Sequence, residues 1–174
     1  MEHFQEYDDI RWDMVGHVQS RKARQVAENF HSVHSLDSVK LAELLDQCRP
    51  ATMPPLEVFL EVNISNESSK TGFIANQEEK WEALVPIVEQ ILKLKKIKLA
   101  GLMAMPPLFT DPQQSRPYFI NLRKLRDYLN NQVKEAELTQ LSAGTSTDFE
   151  VAIEEGATIV RIGERLLGPR IYTG

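Results

Sequence analysis

The chain has one cysteine, Cys48, which excludes an internal disulfide and any multi-cysteine metal site. That usage suits a reducing, cytoplasmic setting. Cys48 lies near the end of an amphipathic segment and reads as packing rather than as a nucleophile. No apolar run approaches the roughly 18 residues that a membrane helix needs. An excess of positive charge is also missing. The net charge of -5 argues against general attraction to nucleic acid or anionic lipid. The opening stretch, Met1 to Asp9, is acidic and polar, unlike a secretory signal. No glycine-rich nucleotide fingerprint and no Ser–His–Asp order occurs. His17 and His34 match no standard zinc spacing, so no metal is expected.

What is present is ordinary for a globular protein. The 174 residues, 42% hydrophobic and 26% charged, suit a single domain over 1–174 with a real core. The basic run Arg21 to Arg24 reads as a solvated helix face.

Strand-like and helix-like patterns alternate along the chain. Trp12 to Val18 reads as a strand, 21–29 as a helix, and Phe30 to Ser35 as a second strand. Asp37 is placed to cap a helix carrying Val39, Leu41, Leu44, Leu45 and Cys48. After the breaker Thr52 to Pro55 comes the clearest strand, Leu56 to Ile64. Residues 77–95 read as a helix that Pro86 kinks. Further strands are predicted at Ile97 to Ala104, Leu138 to Ala143 and Thr158 to Ile162. Between them lie a long helix from Ser115 to Glu135, with Leu122, Leu125 and Leu129 inward, and a short one from Thr147 to Glu155. Such alternation implies right-handed βαβ units and a parallel sheet. About six units leave two architectures open: a doubly wound sheet, or a (β/α)8 barrel short of two units.

In either architecture function lies at the C-terminal strand ends. The candidates there are Gly16, His17, Gln19, His34, Asn63, Met103, Met105, Ser146, Arg161 and Gly163. Ser146, Thr147 and Asp148 carry N-cap chemistry, and amides at such a turn favour an anion. Gly163 would let the backbone approach that anion closely. Arg161 sits inside an apolar strand, where a guanidinium needs a carboxylate or a ligand acceptor. Asn63 either hydrogen-bonds a ligand or ties its own loop, which runs through Glu67, Lys70 and Gly72.

Several motifs, in order, resemble the YggS/PROSC family of pyridoxal phosphate homeostasis proteins. They are Trp12 to Lys22, Val33 to Asp37, Glu61 to Ile64 with Lys70 to Phe73, Gly101 to Pro106, Arg116 to Phe119, and the closing pair Leu141 to Phe149 and Ile159 to Glu164. The family pattern has an aromatic–His pair where this chain has Trp12 and Asp13. The resemblance implies a TIM-type (β/α)8 barrel like the N-terminal barrel of alanine racemase, with about six βα units present and the two N-terminal ones missing. It implies pyridoxal 5'-phosphate (PLP) as cofactor and no catalysis by the protein itself. A racemase-like enzyme, or an interaction protein with a vestigial phosphate site, are the alternatives. Ser146, Thr147, Gly163 and Glu164 would cradle the phosphate. Arg161 would face the pyridine nitrogen, with Asn63 and Met105 completing the site. The lysine that carries PLP covalently in the family lies on the first barrel strand. No lysine here matches it, Lys22 and Lys70 included, so covalent attachment is not expected. Exposed sheet edges are expected to favour a homo-oligomer.

Overall fold

The computed structural model describes residues 10–65, 67 and 70–168. The polar opening stretch Met1 to Asp9 lies outside them. The strands are β1 (Asp13–Met14), β2 (Ser32–Leu36), β3 (Leu56–Asn63), β4 (Phe73–Ile74), β5 (Ile97–Met103), β6 (Gln140–Thr145) and β7 (Ile159–Arg161). The helices are α1 (Ala23–Asn29), α2 (Val39–Cys48), α3 (Val85–Leu92), α4 (Arg116–Gln132), α5 (Phe149–Glu154) and α6 (Glu164–Leu167).

All strand pairs are parallel, in the order β1-β2-β3-β5-β6-β7, with β4 a short addition on the end of β3. Among the described residues the main order never reverses, so they contain no switch point of a doubly wound sheet. Alternation along each strand separates two faces. On β3, Leu56, Val58, Leu60 and Val62 join the large core beneath the helices, whereas Phe59 packs with Ala100, Met103 and Ile159 in a small cluster made of strand residues alone. Among the described residues, helices therefore cover one face only. Each fully buried Leu or Val on that face contributes about 1.5–3 kcal/mol.

The sheet is strongly curled. His34 of β2 and Ser142 of β6 are three strands apart, which in a flat sheet means about 14 Å. Yet the His34 Nδ1 and Ser142 Oγ lie 2.7 Å apart across the inner face. The architecture is thus a parallel half-barrel. Among the described residues β1 and β7 are its edges.

Several elements differ from the sequence reading. The strand expected over Trp12 to Val18 shrinks to Asp13–Met14, because Gly16 turns the chain and its carbonyl accepts the Ser35 hydroxyl at 2.7 Å. Ser38, not Asp37, caps α2, its hydroxyl accepting the Leu41 amide at 3.3 Å. Asp37 instead pairs with His17 at 2.9 Å. Pro86 kinks nothing: residues Glu78–Leu84 form a 3-10 segment, and Pro86 sits in the first turn of α3, where no amide is needed. Strand β4 was not foreseen. Its two residues pair with Val62 and Asn63 and carry no alternation long enough to read.

Candidate functional site

The C-terminal rim near β6 and β7 is built by two turns that share one hydroxyl. β6 leaves through Gly144, whose φ of 92° belongs to the left-handed region and where a Cβ would stand 2.7 Å from Ala152 Cβ. The next residue, Thr145, is held by Asp148, whose carboxylate accepts its amide at 2.8 Å and its hydroxyl at 3.0 Å. Asp148 does occupy the N-cap position of α5, but its side chain makes no bond to that helix. Its work is to close the turn. Thr147 places its hydroxyl 3.3 Å from that of Thr145.

Ser146 then reaches across to the β7–α6 turn. Its Oγ accepts the Gly163 amide at 3.2 Å and the Arg165 amide at 3.3 Å. Two backbone donors thus converge on one oxygen. A Cβ at Gly163 would meet nothing within 4 Å, so protein packing does not demand glycine there. Glu164 lies between the two donors, in the first turn of α6. The Arg165 guanidinium sits over the Phe149 ring, 5.0 Å from its centroid, and 3.5 Å from Glu150.

Arg161 lies two residues before Gly163 and points to the inner face. No carboxylate contacts it among the described residues, which removes the structural salt bridge as its explanation. Nη1 donates to the Ser142 carbonyl at 2.9 Å and to Ser142 Oγ at 2.8 Å, and Nη2 donates to the Ala104 carbonyl at 3.2 Å. Burial pushes its pKa down from the usual arginine value, opposed by Asp148 and Glu61, but a guanidinium stays charged. Ser142 links it to His34, which is 2% exposed and stacked on Phe59 with ring centroids 4.2 Å apart. Burial, aided by the charges of Arg161 and Arg11, lowers the His34 pKa to about 4 against the pull of Asp13 and Glu57. This histidine is neutral near pH 7.

The other predicted residues gather across the rim at the ends of β3 and β5. Asn63 ties its own loop: its amide donates to the carbonyls of Glu67 at 3.1 Å and Lys70 at 3.3 Å, and its oxygen accepts the Ser65 amide at 3.1 Å. Met105 is half exposed, and its carbonyl accepts Lys70 Nζ at 3.1 Å. Together with Glu61, Val62 and Thr71 these three line a cavity of about 190 Å³. Ala104, which receives Arg161, is the residue before Met105, so β5 joins the two halves of the rim. A larger groove, lined by Asn76, Arg116, Tyr118 and Lys124 among others, contains none of the predicted residues. Of the remaining candidates, His17 is tied to Asp37 on the far side, at the end of β2.

Sequence reading missed Ser142, Thr145 and Arg165. Ser142 had a signal: it is the polar residue between Leu141 and Ala143, both packed beneath the helices. Arg165 had none, because its contribution is a backbone amide.

The rim brings two backbone amides and two hydroxyls together near a guanidinium. Two amides, the hydroxyls of Ser146 and Thr147 and an open approach at Gly163 suit a phosphate. Arg161 supplies a donor-only group on the inner face. The donor set fits a phosphorylated heterocycle.

Known proteins agree in fold and in sequence. The description of the alanine racemase N-terminal domain matches residues 6–170. A pyridoxal phosphate homeostasis protein of Pseudomonas aeruginosa is 42% identical over 163 residues, 94% of this chain and 66% of its own length. One from Aquifex aeolicus is 40% identical over 164 residues, 94% of this chain and 69% of its own. The chain spans about two thirds of the length of these curated relatives. PipY of Synechococcus elongatus, solved with PLP bound, superposes with a TM-score of 0.85 at 30% identity, covering 96% of this chain and 74% of PipY. An alanine racemase of Clostridium difficile, 16% identical with a TM-score of 0.66, covers 97% of this chain and 42% of its own and shares the fold.

Proposed function

Since the chain belongs to the alanine racemase N-terminal domain family, and within it to the pyridoxal phosphate homeostasis proteins, we propose that it binds pyridoxal 5'-phosphate and serves PLP homeostasis without a reaction of its own. The observation that carries this reading is the convergence of the Gly163 and Arg165 amides on Ser146 Oγ, near a half-buried guanidinium that no carboxylate contacts among the described residues. When bound, the cofactor supplies an aldehyde on an electron-withdrawing pyridine ring.

The roles of the protein residues follow from their chemistry. Ser146, Thr147 and the amides from Gly163 to Arg165 hold the phosphate, and Glu164 contributes its backbone rather than its charge. Arg161 faces the pyridine nitrogen. A donor-only cation there keeps that nitrogen unprotonated and weakens the ring as an electron sink, which suits holding and releasing the cofactor rather than carbanion chemistry. Asn63 shapes the opposite rim by tying its loop, and Met105 offers an apolar contact. None of these residues is a lysine, so binding through them is noncovalent. The same reading expects a cytoplasmic protein and a homo-oligomer through exposed sheet edges, such as those that β1 and β7 present among the described residues. No helix among the described residues is long and apolar enough to cross a membrane.

A PLP titration followed by absorbance tests the proposal. Saturable binding is expected that borohydride does not fix, and that Ser146→Ala combined with Arg161→Ala weakens by at least about 10-fold. Absence of saturation at millimolar PLP, or one stable borohydride-fixed lysine adduct, overturns it.

A further inference from the structure

The proposed ligand roles leave the buried imidazole of His34 without a task. His34 touches none of the residues assigned to the cofactor, yet it is 2% exposed and lies 2.7 Å from Ser142 Oγ, which in turn lies 2.8 Å from Arg161 Nη1. We infer that His34 is a positioning residue for Arg161, acting through the Ser142 hydroxyl to fix the guanidinium on the inner face of the half-barrel.

Donor counting sets the direction of the chain. A guanidinium only donates, so Ser142 Oγ accepts from Nη1. The Ser142 O–H finds no other acceptor among the described residues and is given to His34 Nδ1. That makes His34 the neutral tautomer with its proton on Nε2. Stacking on Phe59 locks the imidazole plane, so the acceptor cannot rotate away. The hydroxyl is thereby oriented with its lone pairs toward Arg161.

The consequence for Arg161 is geometric. Nη1 is fully engaged by the carbonyl and hydroxyl of Ser142, and Nη2 is half engaged by the Ala104 carbonyl. The Nε–H and the second Nη2–H have no protein acceptor among the described residues. These are the donors left for a ligand atom. Without His34 the hydroxyl turns freely, one of the three tethers slackens, and those donors lose their aim. Relays of this kind act as preorganisation: they raise affinity for the ligand part that Arg161 meets and leave the phosphate turns alone.

The relay itself is testable without ligand, whereas its effect on affinity rests on the PLP reading above. Nitrogen-15 NMR of the free protein is expected to show His34 Nδ1 unprotonated and the Arg161 Nη signals resolved by slow rotation. His34→Leu keeps bulk against Phe59 but removes the acceptor, and is expected to average the Arg161 Nη signals. His34→Asn places an amide oxygen near the position of Nδ1 and is expected to preserve them. With ligand, His34→Leu is expected to weaken PLP about 5- to 10-fold, the loss of one buried hydrogen bond, while inorganic phosphate affinity stays within about twofold. His34→Asn rescues PLP affinity. Should His34→Leu fail to fold, Ser142→Ala breaks the same relay one atom further along and carries the same expectations. Unchanged Arg161 signals in His34→Leu, or no rescue by His34→Asn, or an equal loss for phosphate and PLP, overturns the inference. Failure of the parent to bind PLP would overturn the proposed function instead, with the NMR arm still deciding the relay.

Discussion

The hydroxyl of Ser146 and the amide of Gly163 meet at 3.2 Å although they leave different strands, β6 and β7. One oxygen thereby stitches the two turns together and occupies the point where their donors converge. On the proposed reading, a phosphate oxygen entering that point would take over both amides and free the serine O–H to donate.

Ser146→Ala is therefore expected to separate binding from stability. It removes one hydroxyl donor to a dianion, a charge-assisted bond of about 1.5–3 kcal/mol, so phosphate and PLP affinity should fall about 10- to 100-fold. Both amides it served lie on exposed turns and turn to water, so the stability change should stay below about 1 kcal/mol. Calorimetric titration beside a urea melt reads both. An unchanged affinity would place the anion elsewhere.

Two glycines give opposite expectations. A Cβ at Gly101 would lie 1.8 Å from the Gln140 carbonyl oxygen, in the ladder between β5 and β6. Gly101→Ala must push those strands apart and is expected to cost more than about 3 kcal/mol. A Cβ at Gly163 would meet nothing within 4 Å, so Gly163→Ala should leave the melting curve in place. Its methyl would stand where the anion approaches, and phosphate affinity should drop about 10-fold or more. A Gly163→Ala protein that binds phosphate normally removes Gly163 from the cradle.

The contrast between these glycines shows what the sequence could reveal. The strand read over Leu56 to Ile64 rests on a short-range signal and was legible, forming over Leu56–Asn63, and the turns of Ser146 and Gly163 do meet. The choice between half-barrel and doubly wound sheet was not legible from pattern alone, because it depends on which face the helices cover. That choice came only with the family resemblance. Arg161 read as a group needing a carboxylate or a ligand acceptor. Its acceptors proved to be the carbonyls of Ser142 and Ala104, a pairing that no spacing rule encodes. Asp37 and Ser38 both suit a helix cap, and local chemistry could not foresee that His17 would claim the aspartate.

Arg49 offers a test on the opposite side of the molecule. It is 3% exposed and donates to the carbonyls of Ala27 at 2.6 Å, Phe30 at 2.9 Å and Pro54 at 2.9 Å, so one guanidinium ties together the chain after α1 and the approach to β3. Burial lowers its pKa from the ordinary arginine value. Arg49→Met keeps the apolar stem but leaves those three carbonyls without their donor. A loss of about 2–4 kcal/mol in urea unfolding is expected, with phosphate affinity retained. A loss under about 1 kcal/mol would mean that water replaces the guanidinium at all three carbonyls.

His34 makes stability depend on pH in a definite direction. Its pKa is about 4 in the folded protein and about 6.5 when exposed, so between these values the unfolded chain holds more protons. Stability is then flat above about pH 6.5, falls as pH drops toward 4, and levels below that. The charges facing the ring divide, with Arg161 and Arg11 opposing protonation and Asp13 and Glu57 favouring it. The full effect is on the order of 3 kcal/mol. Carboxylates titrate in the same range, so the informative quantity is a difference. His34→Asn removes this one titration and keeps the others. Relative to that variant, the parent should lose stability progressively between pH 6.5 and 4. Urea unfolding of both proteins at several pH values reads the gap directly. Parallel curves would mean that His34 takes up its proton as readily in the fold as in water, which a ring enclosed by Phe59 and Ser142 beside two guanidiniums does not allow.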